Sequence, residues 1–246
     1  EKELDPHREQ FEKKDYKLTE DCMKKAGELG LLGIGVPTKY GGMGMPFNTS
    51  VLICDRISGA NGSFSTAFGA HTGIGTLPIQ LYGDENQREK YLPKLASGEW
   101  MSCYCLTEPG AGSDANSGKT KAVLSEDRKN YLITGQKMWI SNAGFADVFI
   151  VFARIEDDKN ITAFILEKGM EGITMGEEEH KLGLNASSTR QVFFNEVSVP
   201  VESLLGGRGN GFKIAMNALN VGRIKLSAAV LDACRRMISL STNYSN

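Results

Sequence analysis

The stretch that decides the fold is Tyr104-Cys-Leu-Thr-Glu-Pro-Gly-Ala-Gly-Ser-Asp114, and Trp139-Ile-Ser-Asn142 follows it 25 residues later. The first stretch ends in a loop rich in glycine, with hydroxyl groups at Thr107 and Ser113. Its proline and glycines permit a tight turn in which several backbone amides can point the same way. Amide and hydroxyl donors gathered in this manner stabilise negative charge on a bound group. On the residues alone, a surface loop between strands remains the alternative.

Trp139 and Ser141 form the second motif. Alternate residues of a strand share one face, so this ring and this hydroxyl can contact the same ligand, the ring by stacking and the hydroxyl by hydrogen bonding. The alternative is that Trp139 belongs to the core of a sheet.

Around these motifs the sequence is typical of β-structure from about residue 101 to 200. Short runs of β-branched and aromatic residues alternate with turn residues, and no helix-length periodic segment separates them. The pattern predicts an antiparallel sheet, a barrel or a sandwich. The predicted strands are 122–124, 131–134, 148–153, 161–166 and 191–194.

Both flanks of this region are typical of helices. Towards the N-terminus the sequence predicts helices at 19–30, 48–60 and 83–93. The first is expected to start at the cap residue Thr19. The second is expected to have Val51, Leu52 and Ile57 facing inward. From Phe212 to Leu240 one apolar stripe predicts a single long or kinked helix. Such a helix needs a partner, which suggests a third domain that continues past Asn246.

The composition excludes several classes of protein. The chain has 246 residues and a net charge of −2, so no basic surface indicates nucleic acid as a partner. No apolar run approaches the roughly 18–20 residues of a membrane span. The charged N-terminus predicts no signal peptide, although its abrupt start suggests that a segment precedes it. Five cysteines without repeated spacing indicate a reducing compartment, and three distant histidines argue against a metal site.

Four other features have ordinary interpretations. Gly206–Gly211 lacks the glycine order and the βαβ setting of a nucleotide loop and is interpreted as a connection between domains. The acidic run 177–179 is expected to be a solvated face. His71 is expected to be a satisfied core or helix-end residue. Cys103 and Cys105 are expected to be ordinary thiols in a strand.

Together, the motifs at 104–114 and 139–142 resemble the flavin-binding middle domain of acyl-CoA dehydrogenases, and the resemblance covers essentially the whole chain. The family has a helical, β-barrel, helical architecture and binds FAD between the last two domains. The resemblance therefore implies an N-terminal helical domain at 1–101, a middle antiparallel β-barrel that binds flavin at 102–208, and the first helix of a truncated C-terminal helical bundle at 209–246. Further matching segments are Lys25–Ile34, Tyr40–Gly42, Gly183–Thr189, Val192–Phe194, Val197–Pro200, Gly211–Met216 and Gly222-Arg223.

The resemblance also implies roles for individual residues. Thr107 and Ser141 would hydrogen-bond to the flavin ring, and Trp139 would pack against it. Many relatives have Asp where this chain has Asn220. The full set of implied FAD contacts is Tyr104, Cys105, Leu106, Thr107, Gly112, Ser113, Trp139, Ile140 and Ser141, and the implied acyl-CoA contacts are Ser113, Ser187, Asn220 and Arg223.

The family's chemistry is α,β-dehydrogenation of an acyl-CoA thioester. A glutamate removes the α proton, a β hydride passes to N5 of FAD, and electrons pass to an electron-transfer flavoprotein. A minority of members carry the glutamate on the first C-terminal helix, where this chain has Gly222. Glu108 is interpreted as structural, so no catalytic base is expected in this chain, and the base should lie beyond Asn246.

The resemblance further implies that the protein forms a homotetramer or homodimer. It also implies a location in the cytoplasm if the source is a bacterium, or in the mitochondrial matrix if it is a eukaryote. Two alternatives stay open. One is a non-catalytic relative that binds flavin or acyl-CoA, and the other is an acyl-CoA oxidase that passes electrons to oxygen.

Overall fold

The computed structural model describes residues 2–245, and its N-terminal part is helical. The first long helix begins at Tyr16, three residues earlier than predicted, because the side chain of Asp15 caps it by accepting the Leu18 N–H at 3.0 Å. Thr19, the predicted cap, is buried within the helix and donates to the Ala186 carbonyl at 2.9 Å. The helices of this part are α1 (Arg8–Glu12), α2 (Tyr16–Glu28), α3 (Phe47–Ala60), α4 (Gly62–Gly69), a π-helical turn (Ala70–Gly75), α5 (Thr76–Tyr82) and α6 (Glu85–Ser97).

Two details of these helices differ from prediction. Leu52 on α3 is 52% exposed, so its expected inward orientation is wrong. Helix α6 runs past Pro93 to Ser97 and begins with a capping box between Asp84 and Gln87.

His71 ties the π-helical turn to the sheet. Its Nδ1 atom accepts the Ser102 N–H at 3.1 Å, and its Nε2–H donates to the Leu95 carbonyl at 2.9 Å. The side chain is completely buried, and this burial lowers the pKa of His71 to about 4. The residue is therefore neutral and structural, which confirms its expected place in the core.

Eight strands form one sheet in the order β6-β7-β3-β2-β4-β5-β8, with β1 paired to β4. The strand order begins at β6 and ends at β8, so closure into the predicted barrel is not confirmed. The strands are β1 (Ser102–Cys105), β2 (Lys121–Leu124), β3 (Asn130–Ser141), β4 (Val148–Ile155), β5 (Thr162–Glu167), β6 (Ile173–Glu178), β7 (Thr189–Pro200) and β8 (Leu204–Leu205).

The predicted antiparallel pairing is only partly right: most strand pairs are antiparallel, but β1 and β2 both pair in parallel with β4. Strand β1 pairs with Val148–Val151 and β2 with Arg154 and Ile155, so the two strands follow each other along one side of β4. The loop between them leaves the sheet and returns in the same direction. Periodicity reveals which face of a strand is buried but not the direction of its partner.

The C-terminal part consists of two helices, α7 (Gly211–Ala229) and α8 (Leu231–Ser245), so the predicted long or kinked helix is interrupted at Val230. The Asp55 carboxylate of α3 accepts the Asp232 N–H at 2.7 Å and pairs with Arg235 at 3.1 Å. Insertion of this carboxylate interrupts the helical hydrogen-bond ladder, a known cause of a helix break. The domain boundaries after residues 101 and 208 stay a prediction, and residues 1 and 246 lie outside the described part.

Three further observations concern the cysteines, membrane-spanning helices and metal-ligand clusters of the described residues. All five cysteines are free, and the Sγ atoms of Cys103 and Cys105 are 3.8 Å apart inside the core. Between residues 2 and 245 no helix is long and apolar enough to cross a membrane. The same residues contain no cluster of three or more side chains suited to a metal ion.

Candidate functional site

The two sequence motifs meet at one cavity, with a volume of about 310 Å³. Three elements build this first cavity: the loop after β1, the end of β3 and helix α7. The π-helical turn adds Ile74. The lining residues predicted from the sequence are Tyr104, Leu106, Thr107, Gly112, Ser113, Trp139, Ile140, Ser141 and Arg223, and the lining residues not predicted are Ile74, Ala115, Met216 and Leu219.

A β-bulge, rather than regular alternation, presents Trp139 to this cavity. The pairing of β3 with β7 shifts between Lys137 and Ile140, and Trp139 has a φ of +61°, in the left-handed region. A bulky residue rarely adopts this conformation, and such outliers concentrate at functional sites. The indole is 56% exposed, whereas the neighbouring Ile140 is buried. Trp139 and Ser141 therefore share the cavity as predicted, but for a different structural reason.

A buried ion pair lies beneath the loop after β1. Oε1 of Glu108 is 2.7 Å from Nζ of Lys137, and its carboxylate also accepts the backbone N–H groups of Lys119 at 2.6 Å and Thr120 at 3.1 Å. Burial opposes ionisation of Glu108, but the Lys137 ammonium and these donors hold its pKa below the ordinary value. All of these contacts are internal, which agrees with the structural role expected for Glu108.

Lys137 is the main residue that the sequence interpretation missed. Its ammonium also donates to the carbonyls of Leu106 at 3.2 Å and Phe152 at 2.6 Å. Burial lowers the pKa of Lys137, although Glu108 opposes this shift. The signal was present, because alternation from Tyr131 through Ile133 puts residue 137 on the buried face of β3.

Three predicted contact residues lie elsewhere. The side chain of Cys105 packs with Phe149 and Val151 in the core on the other face of β1 from Tyr104. Ser187 is buried outside the cavity lining, and its Oγ has no hydrogen-bond partner among residues 2–245. Asn220 is exposed on α7, where it accepts a hydrogen bond from Arg223 Nη1 at 2.7 Å.

The acidic run is not a uniformly solvated face, because Glu178 points inward. Its carboxylate accepts the Ser188 hydroxyl and the Arg190 Nε–H, each at 2.6 Å, and the Thr189 N–H at 2.9 Å. Glu178 therefore fixes the segment that follows Ser187.

A second cavity of about 430 Å³ adjoins the first and shares Ile74 and Ser141 with it. It lies among α3, α4, the π-helical turn and α7. A Cβ atom placed on Gly69 or Gly73 would meet no heavy atom within 4 Å, so these glycines leave space open. Gly222 also lines this cavity, and no described carboxylate lines either cavity.

Comparison with known proteins identifies the family. Residues 1–99 match "Acyl-CoA dehydrogenase, N-terminal domain", and residues 103–197 match "Acyl-CoA dehydrogenase, middle domain". The chain belongs to the acyl-CoA dehydrogenase family. The resemblance seen in the two motifs is thereby confirmed.

Similar members of the acyl-CoA dehydrogenase family come from bacteria and mammals. A probable acyl-CoA dehydrogenase of Bacillus subtilis is 49% identical over 100% of this chain and 41% of its own length. A mitochondrial very long-chain specific acyl-CoA dehydrogenase of Macaca fascicularis is 42% identical over 92% of this chain and 36% of its own. The crystal structure of an acyl-CoA dehydrogenase from Bacillus anthracis, complexed with FAD, has a TM-score of 0.95 and 46% identity, covering 98% of this chain and 42% of that one. The chain thus spans about two fifths of the length of these relatives.

Proposed function

We propose that the protein containing this chain is an FAD-dependent enzyme that dehydrogenates an acyl-CoA thioester between its α and β carbons. The observation that carries the proposal is the first cavity, which gathers Thr107, Ser113, Trp139 and Ser141 although they come from separate segments. Membership of the acyl-CoA dehydrogenase family supports it, as does the relative from Bacillus anthracis whose structure contains FAD.

The residues of the first cavity suit a flavin ring. A volume of about 310 Å³ is at the lower end of the range for ligand pockets, roughly 300–1,000 Å³, and fits one part of a dinucleotide. Trp139 offers an exposed aromatic face, and Thr107 and Ser141 offer hydroxyl donors. Such donors favour the electron-rich state of a ring.

When bound, FAD supplies the acceptor for the hydride. This chain would supply position and polarity: among the residues that line the cavity, Thr107 and Ser141 would donate to the ring, Trp139 would pack on it, and Arg223 at the α7 wall would bind the acyl-CoA. We propose that Ser113, which also lines this cavity, contacts both ligands. Ser187 and Asn220 stay proposed substrate contacts, although neither lines the cavity.

The second cavity is the place that we propose for the acyl chain. It adjoins the first at Ser141 and Ile74, so a thioester held beside the ring would extend its hydrocarbon directly into it. Because no described carboxylate lines either cavity, proton abstraction from the α carbon is assigned to a base beyond Asn246, outside the described residues. We also propose an electron-transfer flavoprotein as the electron acceptor, a homotetramer or homodimer, and a cytoplasmic or mitochondrial-matrix location.

The test uses the full-length protein. We expect it to purify yellow with non-covalent FAD, and we expect saturated acyl-CoA to bleach the flavin under anaerobic conditions. A protein that stays colourless after incubation with FAD would contradict the cofactor assignment. A yellow protein whose flavin no acyl-CoA bleaches would point to a non-catalytic relative, and rapid reoxidation of bleached flavin by oxygen would point to an oxidase.

A further inference from the structure

Lys225 on α7 is a partly buried cation that the proposed chemistry does not use. It lines the second cavity together with Cys54, Gly222 and Leu226. It also lines a third cavity of about 240 Å³, whose wall includes Ser50 and Gln80. Lys225 and Cys54 are therefore shared by the second and third cavities.

Two other lysines, the buried Lys137 and the partly buried Lys181, show what is unusual about Lys225. Nζ of Lys137 donates to three oxygen atoms, one of them in the carboxylate of Glu108. Nζ of Lys181 donates to the carbonyls of Leu184 at 2.9 Å and Ser187 at 2.6 Å and to the hydroxyl of Thr189 at 2.9 Å. In both cases burial is compensated by hydrogen bonds to oxygen.

Lys225 has no such compensation within residues 2–245. No hydrogen bond or ion pair joins its ammonium to any described residue, and the thiol of Cys54, whose pKa is raised by burial, lines the same two cavities. Burial lowers the pKa of Lys225, and the interaction with Cys54 opposes this shift only in part. A partly buried ammonium that lines an apolar cavity and has no anionic partner among the described residues is suited to bind an anionic group of a ligand.

The surroundings define the chemistry that this cation could recognise. At one end the second cavity meets the first at Ser141, and at Lys225 it borders the third cavity. A chain that enters beside Ser141 therefore shares one cavity with the ammonium, and the side chains of Ile74, Leu226 and Val230 give this cavity apolar walls.

We propose that Lys225 binds a carboxylate at the far end of the acyl chain, so that the protein accepts acyl-CoA thioesters with an ω-carboxyl group. The charge of the ammonium would then be balanced by the ligand. This inference rests on the proposed function, because it requires the thioester to lie across the first and second cavities.

The test measures binding of two unreactive ligands to the full-length, FAD-loaded protein by calorimetry. The ligands are octyl-CoA, a thioether that cannot be oxidised, and its ω-carboxy counterpart with the same number of carbons. In wild type we expect the ω-carboxy ligand to bind at least as tightly as octyl-CoA. In Lys225→Met we expect the affinity ratio to fall by about 10- to 100-fold, the usual effect of losing a hydrogen bond between charged groups.

Two further variants sharpen the result. Lys213→Met removes an exposed lysine from the same helix and should leave the ratio unchanged. Lys225→Arg keeps the charge and should keep most of the preference. An equal ratio in wild type and Lys225→Met, with both ligands bound, overturns the inference and leaves the proposed function standing. Failure of both ligands to bind to wild type overturns the proposed function itself.

Discussion

Nζ of Lys137 lies 2.7 Å from Oε1 of Glu108, and both side chains are buried. Glu108 belongs to the loop that carries Thr107, and Lys137 is two residues before Trp139. A backbone hydrogen bond from the Met138 N–H to the Thr107 carbonyl, at 2.9 Å, runs beside this ion pair. The pair therefore fixes the loop after β1 against the end of β3, the two segments that supply most of the first cavity.

Replacing Lys137 with Met should destabilise the protein strongly. The substitution leaves the Glu108 carboxylate buried without its cation, and breaking a buried pair from one side costs about 3–5 kcal/mol. Urea unfolding of the full-length protein measures this loss, and a fall in FAD content should accompany it. Lys39→Met is the matched control, because the pair of Lys39 with Glu85 is exposed and such pairs contribute about 1 kcal/mol or less. A loss no larger in Lys137→Met than in this control would contradict the role given to the pair.

Ser141 is the hydroxyl shared by the first and second cavities. We expect Ser141→Ala to slow flavin reduction by acyl-CoA about 10- to 1000-fold, by analogy with the loss of an oxyanion-type donor. Anaerobic stopped-flow measurement of flavin bleaching gives the rate. Ser117→Ala replaces an exposed serine whose hydroxyl donates to the Asp114 carbonyl outside both cavity linings, and it is the control. An unchanged rate in Ser141→Ala would reject its role as a donor to the ring.

The strand residues show how much the sequence could predict. The runs at 122–124 and 148–153 lie within observed strands, and the run at 161–166 begins one residue before β5, because β-branched and aromatic residues mark buried strand faces directly. The gathering of Thr107, Ser113, Trp139 and Ser141 at one cavity also agrees with the resemblance. Their roles towards FAD stay predictions.

Three other features depend on contacts between distant segments, which no local pattern encodes. The parallel pairing of β1 and β2 with β4 depends on the path of the intervening loop. The break between α7 and α8 depends on Asp55, which lies 177 residues before Asp232. In the sequence, Lys137 is indistinguishable from any other strand lysine, because its ion pair with Glu108 is formed only in the folded structure.

Gly73 should influence which acyl chains the protein accepts. It lines the second cavity, and a side chain there would point into open space. We expect Gly73→Leu to raise KM for long acyl-CoA substrates at least about 10-fold, while short substrates change little, since one bulky group in an apolar pocket alters binding by roughly 1–3 kcal/mol. Gly73→Ala adds only a methyl group and should have a small effect. Equal changes for long and short substrates would show that the second cavity does not hold the acyl chain.

His71 should make the stability of the fold depend on pH in a defined window. Its pKa is about 4 in the folded protein and about 6.5 when unfolded, so the unfolded state binds more protons between these values. The free energy of unfolding should therefore fall as the pH is lowered from about 6.5 to about 4, by up to roughly 3 kcal/mol from this residue. Above pH 6.5 the contribution of His71 is complete and constant.

The experiment compares wild type with His71→Gln by urea unfolding of the full-length protein across this window. The variant should be less stable near neutral pH, because the contacts with Ser102 and Leu95 are weakened, but its stability should fall less on acidification. His180→Gln, which replaces an exposed histidine, serves as the control for substitution. If wild type and His71→Gln lose stability in parallel between pH 6.5 and 4, the buried imidazole is not the group responsible.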